Sequence, residues 1–78
     1  MYLHGLESSN VCDKVDFLRE RAEVLAPSID YNKPNIEHEL MYMFEAFKPD
    51  LIIGSSMGGH VGLMLANYYN IDAIVFNP

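Results

Sequence analysis

The sequence predicts an α/β domain of three layers, α/β/α, built on a parallel four-stranded sheet in the order βαβαβαβ. Two observations carry most of this. Short apolar runs of strand length, Met1-Tyr2-Leu3, Leu51-Ile52-Ile53 and Ala73-Ile74-Val75-Phe76, recur along the chain. Between them lie stretches with apolar residues at steps of three and four, long enough for a crossover helix, so successive strands run parallel with right-handed connections. A third observation concerns function: ligands of an open parallel sheet sit beyond the carboxyl ends of its strands. His4-Gly5-Leu6, Ser56 and Asn77 all fall at that end.

Taken in order, Met1-Tyr2-Leu3 is a strand stub that stops at His4-Gly5, where glycine permits a turn. Ser8, Ser9 and Asn10 offer helix caps, with Asn10 and Asp13 at capping-box spacing. The stripe Val11, Val15, Leu18, Ala22 and Leu25 predicts a first helix closed by Pro27. Ile29-Asp30-Tyr31, bounded by Pro27 and Pro34, is expected as a short edge strand. Asn35 then caps a second helix, with Glu37 and Glu39 in its first turn and Ile36, Leu40, Met43, Phe44 and Phe47 on its apolar face. Lys48-Pro49 ends it and Asp50 opens the central strand. A third helix is predicted from about Met57 to Tyr69, stopped by Asn70, before a buried last strand over Ala73–Phe76.

The bulk composition excludes several classes. A net charge of −6 with only five Lys and Arg leaves no basic stripe for a nucleic-acid backbone. No apolar run approaches the ~20 residues of a membrane span, and Met1 leads into the first strand without a secretory signal. The single cysteine, Cys12, cannot form an internal disulfide and suits a reducing compartment, so a cytoplasmic location is expected. At 78 residues the chain buries only about 60% of its extended surface, which leaves a lone domain marginal.

The richest stretch is Gly54-Ser55-Ser56-Met57-Gly58-Gly59, between the central strand and the third helix. It places Ser56 at the centre of G-x-S-x-G, the turn in which a serine is forced into an exposed, strained position. Ser55 does not fit, since Ile53 and Met57 would flank it. Gly54 and Gly58 make room, because side chains two residues either side of the serine would collide with neighbouring backbone in so sharp a turn.

These residues resemble the α/β-hydrolase superfamily, and within it the small bacterial YqiA-type esterases. The likeness lies in Tyr2-Leu3-His4-Gly5-Leu6 with Ser8-Ser9, in Lys48-Pro49-Asp50-Leu51-Ile52-Ile53-Gly54-Ser55-Ser56-Met57-Gly58-Gly59, and in Asn77-Pro78. The resemblance implies a partial α/β-hydrolase core over residues 1–78, with Ser56 as nucleophile. It further implies an oxyanion hole from the Met57 and Leu6 backbone N–H groups, supported by His4, Gly5, Gly54 and Gly58. The implied activity is ester or thioester hydrolysis through an acyl-Ser56 intermediate, without metal or organic cofactor, on a small-molecule ester or thioester. In the superfamily the acid and histidine follow the serine on later strands. Neither is found in this sequence, so both are expected from a C-terminal segment or a second chain completing the fold.

Blander readings accompany the other residues. His4 is expected to pack the loop after the first strand, His60 to lie on a helix surface and His38 to face solvent. Asp50 and Asp72 sit at the wrong ends of their strands to serve a triad. Glu37, Glu39 and Glu45 read as a solvated helix face without a second ligand set for a metal. Met41, Met43, Met57 and Met64, with Phe44 and Phe47, read as core or acyl-pocket lining. Two other functions compete: an inactive remnant or interaction subunit whose last strand is an exposed edge, and a phosphate or nucleotide binder. Against the binder, the glycines fit neither G-x-G-x-x-G nor G-x-x-x-x-G-K-[ST].

Overall fold

A computed structural model of the chain describes residues 1–6, Ser9 and residues 12–76. Its elements are β1 (Tyr2–Leu3), α1 (Asp13–Arg19), α2 (Ile36–Phe47), β2 (Leu51–Ser55), α3 (Met57–Tyr69) and β3 (Asp72–Phe76). The three strands form one parallel sheet in the order β1-β2-β3, with Leu3 opposite Gly54 and Phe76 opposite Ser55. Backbone pairing extends one residue before β1, through Met1 N to Leu51 O at 2.9 Å and Ile53 N to Met1 O at 2.8 Å.

Alternation along the strands divides the core in two. Leu3 and Ile52 face α2 and α3, where they join Leu40, Phe44, Leu65 and Ala66. Tyr2 turns to the opposite face and packs with Val15 of α1 and Ala26, against the half-buried Ile53. The stripe read for the second helix is therefore used as expected, with Leu40 and Phe44 fully inside. Phe44 stacks on Tyr69 at 3.9 Å between ring centroids, which ties α2 to the last turn of α3.

The sheet has three strands, not four. Ile29-Asp30-Tyr31 pairs with no strand, and its polar groups are spent elsewhere: Ile29 N–H donates to the His4 ring and Asp30 Oδ1 accepts from Asn32 N–H at 3.0 Å. The preceding stretch meets β1 through one bond, Tyr2 N to Leu25 O at 2.8 Å. The first helix is also shorter than its stripe. Leu18 O accepts both Arg21 N and Ala22 N in a closing turn, and the chain then extends so that Leu25 reaches the β1 edge and Ala26 the core. Its N-cap is Cys12, with no side-chain bond. The Asn10 cap, the Val11 end of the stripe and Asn77-Pro78 lie outside the described residues.

Asn35 does stand at the α2 N-cap, but in left-handed conformation with φ 64° and without a capping bond from its side chain. Both α2 and α3 end on left-handed residues, Lys48 at φ 55° and Asn70 at φ 58°. The last strand is not buried. Ala73 and Val75 are half-covered, whereas Ile74 and Phe76 are 49% and 42% exposed on the side where α1 stops short. No helix among the described residues is long and apolar enough to cross a membrane.

Candidate active site

Sequence chemistry explains the bend between β2 and α3. Leu51-Ile52-Ile53 builds a β-branched strand, and the glycines that follow let the chain fold back over it at once. Ser56 is the hinge residue, at φ 53° and ψ −119°, a region that non-glycine residues enter only at a cost of order 1–3 kcal/mol. Its N–H donates to Phe76 O at 2.8 Å, and its carbonyl accepts from Gly59 N and His60 N, so both sides of the residue are held. The residue is exposed, and its hydroxyl caps no helix N–H.

The two glycines of the pattern are held by backbone. A Cβ on Gly54 would lie 2.6 Å from the Gly58 carbonyl carbon and 2.8 Å from Gly59 Cα. One on Gly58 would lie 2.6 Å from both the Leu3 carbonyl carbon and His4 O. The N-terminus of α3 thus rests directly against the end of β1, which brings the Ser56 turn and the His4-Gly5-Leu6 turn side by side. At the start of α3 the Met57 N–H lacks an intrahelical acceptor, as every first-turn amide does.

His4 is 3% exposed and fully bonded. Its Nε2 accepts from Ile29 N–H at 2.8 Å, and because an amide can only donate, Nε2 carries no proton. The proton is then on Nδ1, which donates to Gly5 O at 2.7 Å. The Tyr31 hydroxyl donates to His4 O, and its ring meets the imidazole edge-on with centroids 5.9 Å apart. Burial, with the nearby Tyr2 phenol as a smaller cause, pushes the Tyr31 hydroxyl up to about 12. The Tyr2 hydroxyl is raised too, by burial first and by Cys12, whose Sγ lies 4.0 Å away, second.

Among the described residues, no titratable side chain of α2, α3 or β3 hydrogen-bonds to this turn. His60 is on the exposed side of α3 and His38 on the exposed side of α2. Asp72 opens β3 opposite Leu51, at the far end of the sheet from Ser56. Glu45 accepts from Tyr69 Oη at 2.8 Å, and Glu39 pairs with Lys33 at 2.8 Å. Met41 and Met43 pack against the core, while Met57 and Met64 are exposed. Among the described residues no histidine, aspartate or glutamate bonds to Ser56. Tyr31 is the participant that sequence reasoning missed: its role depends on a partner 27 residues away, and only its place between two prolines hinted at an ordered loop.

Two of the surface grooves border Tyr2 and Ile53. One, of about 330 Å³, lies at the amino end of the sheet between Tyr2, Leu18, Val24, Phe47 and Leu51. The other, of about 410 Å³, lies between α1 and the sheet and is lined by Tyr2, Phe17, Ile53 and Phe76, with Lys14 Nζ 5.4 Å from the Phe76 ring. Ser56 lines neither.

A family model described as an uncharacterised protein family, UPF0227, matches residues 1–78. The chain belongs to the UPF0227 family. No curated protein and no solved structure matches it. The match runs through both turns just described, so the G-x-S-x-G bend and the His4-Gly5-Leu6 loop lie within the UPF0227 domain.

Proposed function

We propose that this UPF0227 chain carries the nucleophile side of a serine esterase or thioesterase. The observation behind the reading is the backbone of Ser56, turned through φ 53° between a parallel strand and a helix with glycine at both crowded positions. Such a turn projects a hydroxyl beyond the carboxyl end of the sheet, where substrates of parallel sheets bind. In the proposed reaction Ser56 Oγ attacks the acyl carbon and the alcohol or thiol leaves with the hydroxyl proton. Water then releases the acid and restores the serine. The Met57 and Leu6 N–H groups take up the charge that develops on the acyl oxygen.

A serine without a base is a weak nucleophile. The histidine and its acid are therefore assigned to a further segment or a second chain seated along β3, whose Ile74 and Phe76 leave apolar surface open. A nucleotide-binding reading is weaker, since no lysine follows the glycines to meet a phosphate.

A fluorophosphonate probe tests the reading. With the segment or chain that supplies the histidine and acid present, labelling that disappears in Ser56→Ala is the expected result. Labelling that persists in Ser56→Ala, or thermal stabilisation by ATP or NAD, overturns it.

A further inference from the structure

We infer that His4 and Tyr31 are positioning residues that aim the backbone N–H of Leu6 at the anion formed beside Ser56. The inference rests on the esterase reading and adds to it a device for presetting one donor. A peptide unit is planar and trans, so its C=O and N–H point in opposite directions. Whatever holds the carbonyl of a peptide also aims its N–H.

Two successive peptides after β1 are held in this way. The Tyr31 hydroxyl grips His4 O, fixing the His4–Gly5 peptide. The Nδ1–H of His4 grips Gly5 O at 2.7 Å, fixing the Gly5–Leu6 peptide. The imidazole points inward, buried against Ile29, whose N–H pins Nε2 at 2.8 Å. Leu6 N–H must leave in the opposite direction, away from the buried ring. Leu6 is itself 56% exposed, and its N–H donates to no backbone carbonyl among the described residues. Without the two side-chain bonds a glycine-containing turn could rotate either peptide freely. An amide already aimed at the charge costs no reorganisation when the charge appears.

The two ring nitrogens separate holding the loop from aiming the amide. In His4→Asn the side-chain amide nitrogen stands near the place of Nδ1 and can still donate to Gly5 O, but nothing reaches Ile29 N–H. In His4→Gln the side-chain oxygen reaches Ile29 N–H, but no donor meets Gly5 O. Tyr31→Phe releases the first peptide while keeping the ring. The probe is phenylboronic acid, which adds to a serine hydroxyl as a tetrahedral anion, followed through the Leu6 and Met57 amide signals of ¹⁵N-labelled protein. Melting temperature is read in parallel.

Affinity for the boronate should fall about 10-fold or more in His4→Gln, stay within about 3-fold of wild type in His4→Asn, and weaken in Tyr31→Phe. These losses should not follow the order of melting temperatures. Equal boronate affinity in His4→Asn and His4→Gln, or an imidazole ¹⁵N spectrum placing the His4 proton on Nε2, overturns the positioning claim alone. Wild-type protein that takes no boronate with the segment or chain supplying the histidine and acid present overturns the esterase reading, and this claim with it.

Discussion

Gly58 lies with its Cα against the Leu3 carbonyl, leaving no space between α3 and the end of β1 for even one more carbon. That contact joins the two turns at the carboxyl end of the sheet. It also predicts a ranking of glycine substitutions. Gly58→Ala and Gly54→Ala press a methyl into backbone and should each destabilise by about 3 kcal/mol or more. Gly59→Ala meets Val75 Cβ at 3.3 Å and Gly54 O at 3.4 Å and should cost less. Urea unfolding of the three variants checks the order; Gly59→Ala as the worst of them would contradict the packing described here.

The Ser56 backbone stores strain that glycine would not feel. Ser56→Gly should therefore stabilise the fold by about 1 kcal/mol while removing all reaction with phosphonate. A higher melting temperature paired with lost labelling is the expected result. A lower one would mean that the hydroxyl holds the turn together.

Alkaline pH should unfold the protein through its phenols. Tyr31 and Tyr69 are both pushed up to about 12, mainly by burial, and the Glu45 hydrogen bond adds to the shift at Tyr69. A phenol with a raised folded-state value contributes stability that is whole below about pH 10, the unfolded value, and lost as pH rises through 12. Circular dichroism with phenolate absorbance should record that loss between those limits. Tyr31→Phe should flatten the dependence and cost about 1 kcal/mol at neutral pH through the missing bond to His4 O.

The open β3 edge makes a separate prediction. Ile74 is 49% exposed on a strand with one unpaired side, the arrangement that invites another chain. Ile74→Lys should reduce self-association in sedimentation velocity and change unfolding free energy by no more than about 0.5 kcal/mol. Unaltered association would direct attention away from β3.

Periodicity and turn chemistry were sufficient for α2, β2 and α3. Leu40 and Phe44 fall on a stripe, and Met57–Tyr69 runs between a glycine-rich bend and Asn70, so local sequence and final environment agree. The bend at Ser56 was legible for the same reason, since its glycines are neighbours in sequence as well as in space. The first helix and the Ile29-Asp30-Tyr31 segment were misread because their fate was settled by distant groups. Leu25 is drawn to the β1 edge by Tyr2 N–H, and the Ile29 N–H that a strand would have used goes to His4 Nε2. Thus the sequence alone determined the α/β class of the fold and the place of the bend at Ser56. Only the tertiary structure decided how many strands form and which way the loop amides are held, because hydrogen bonds across 25 and 27 residues leave no periodic trace in the chain.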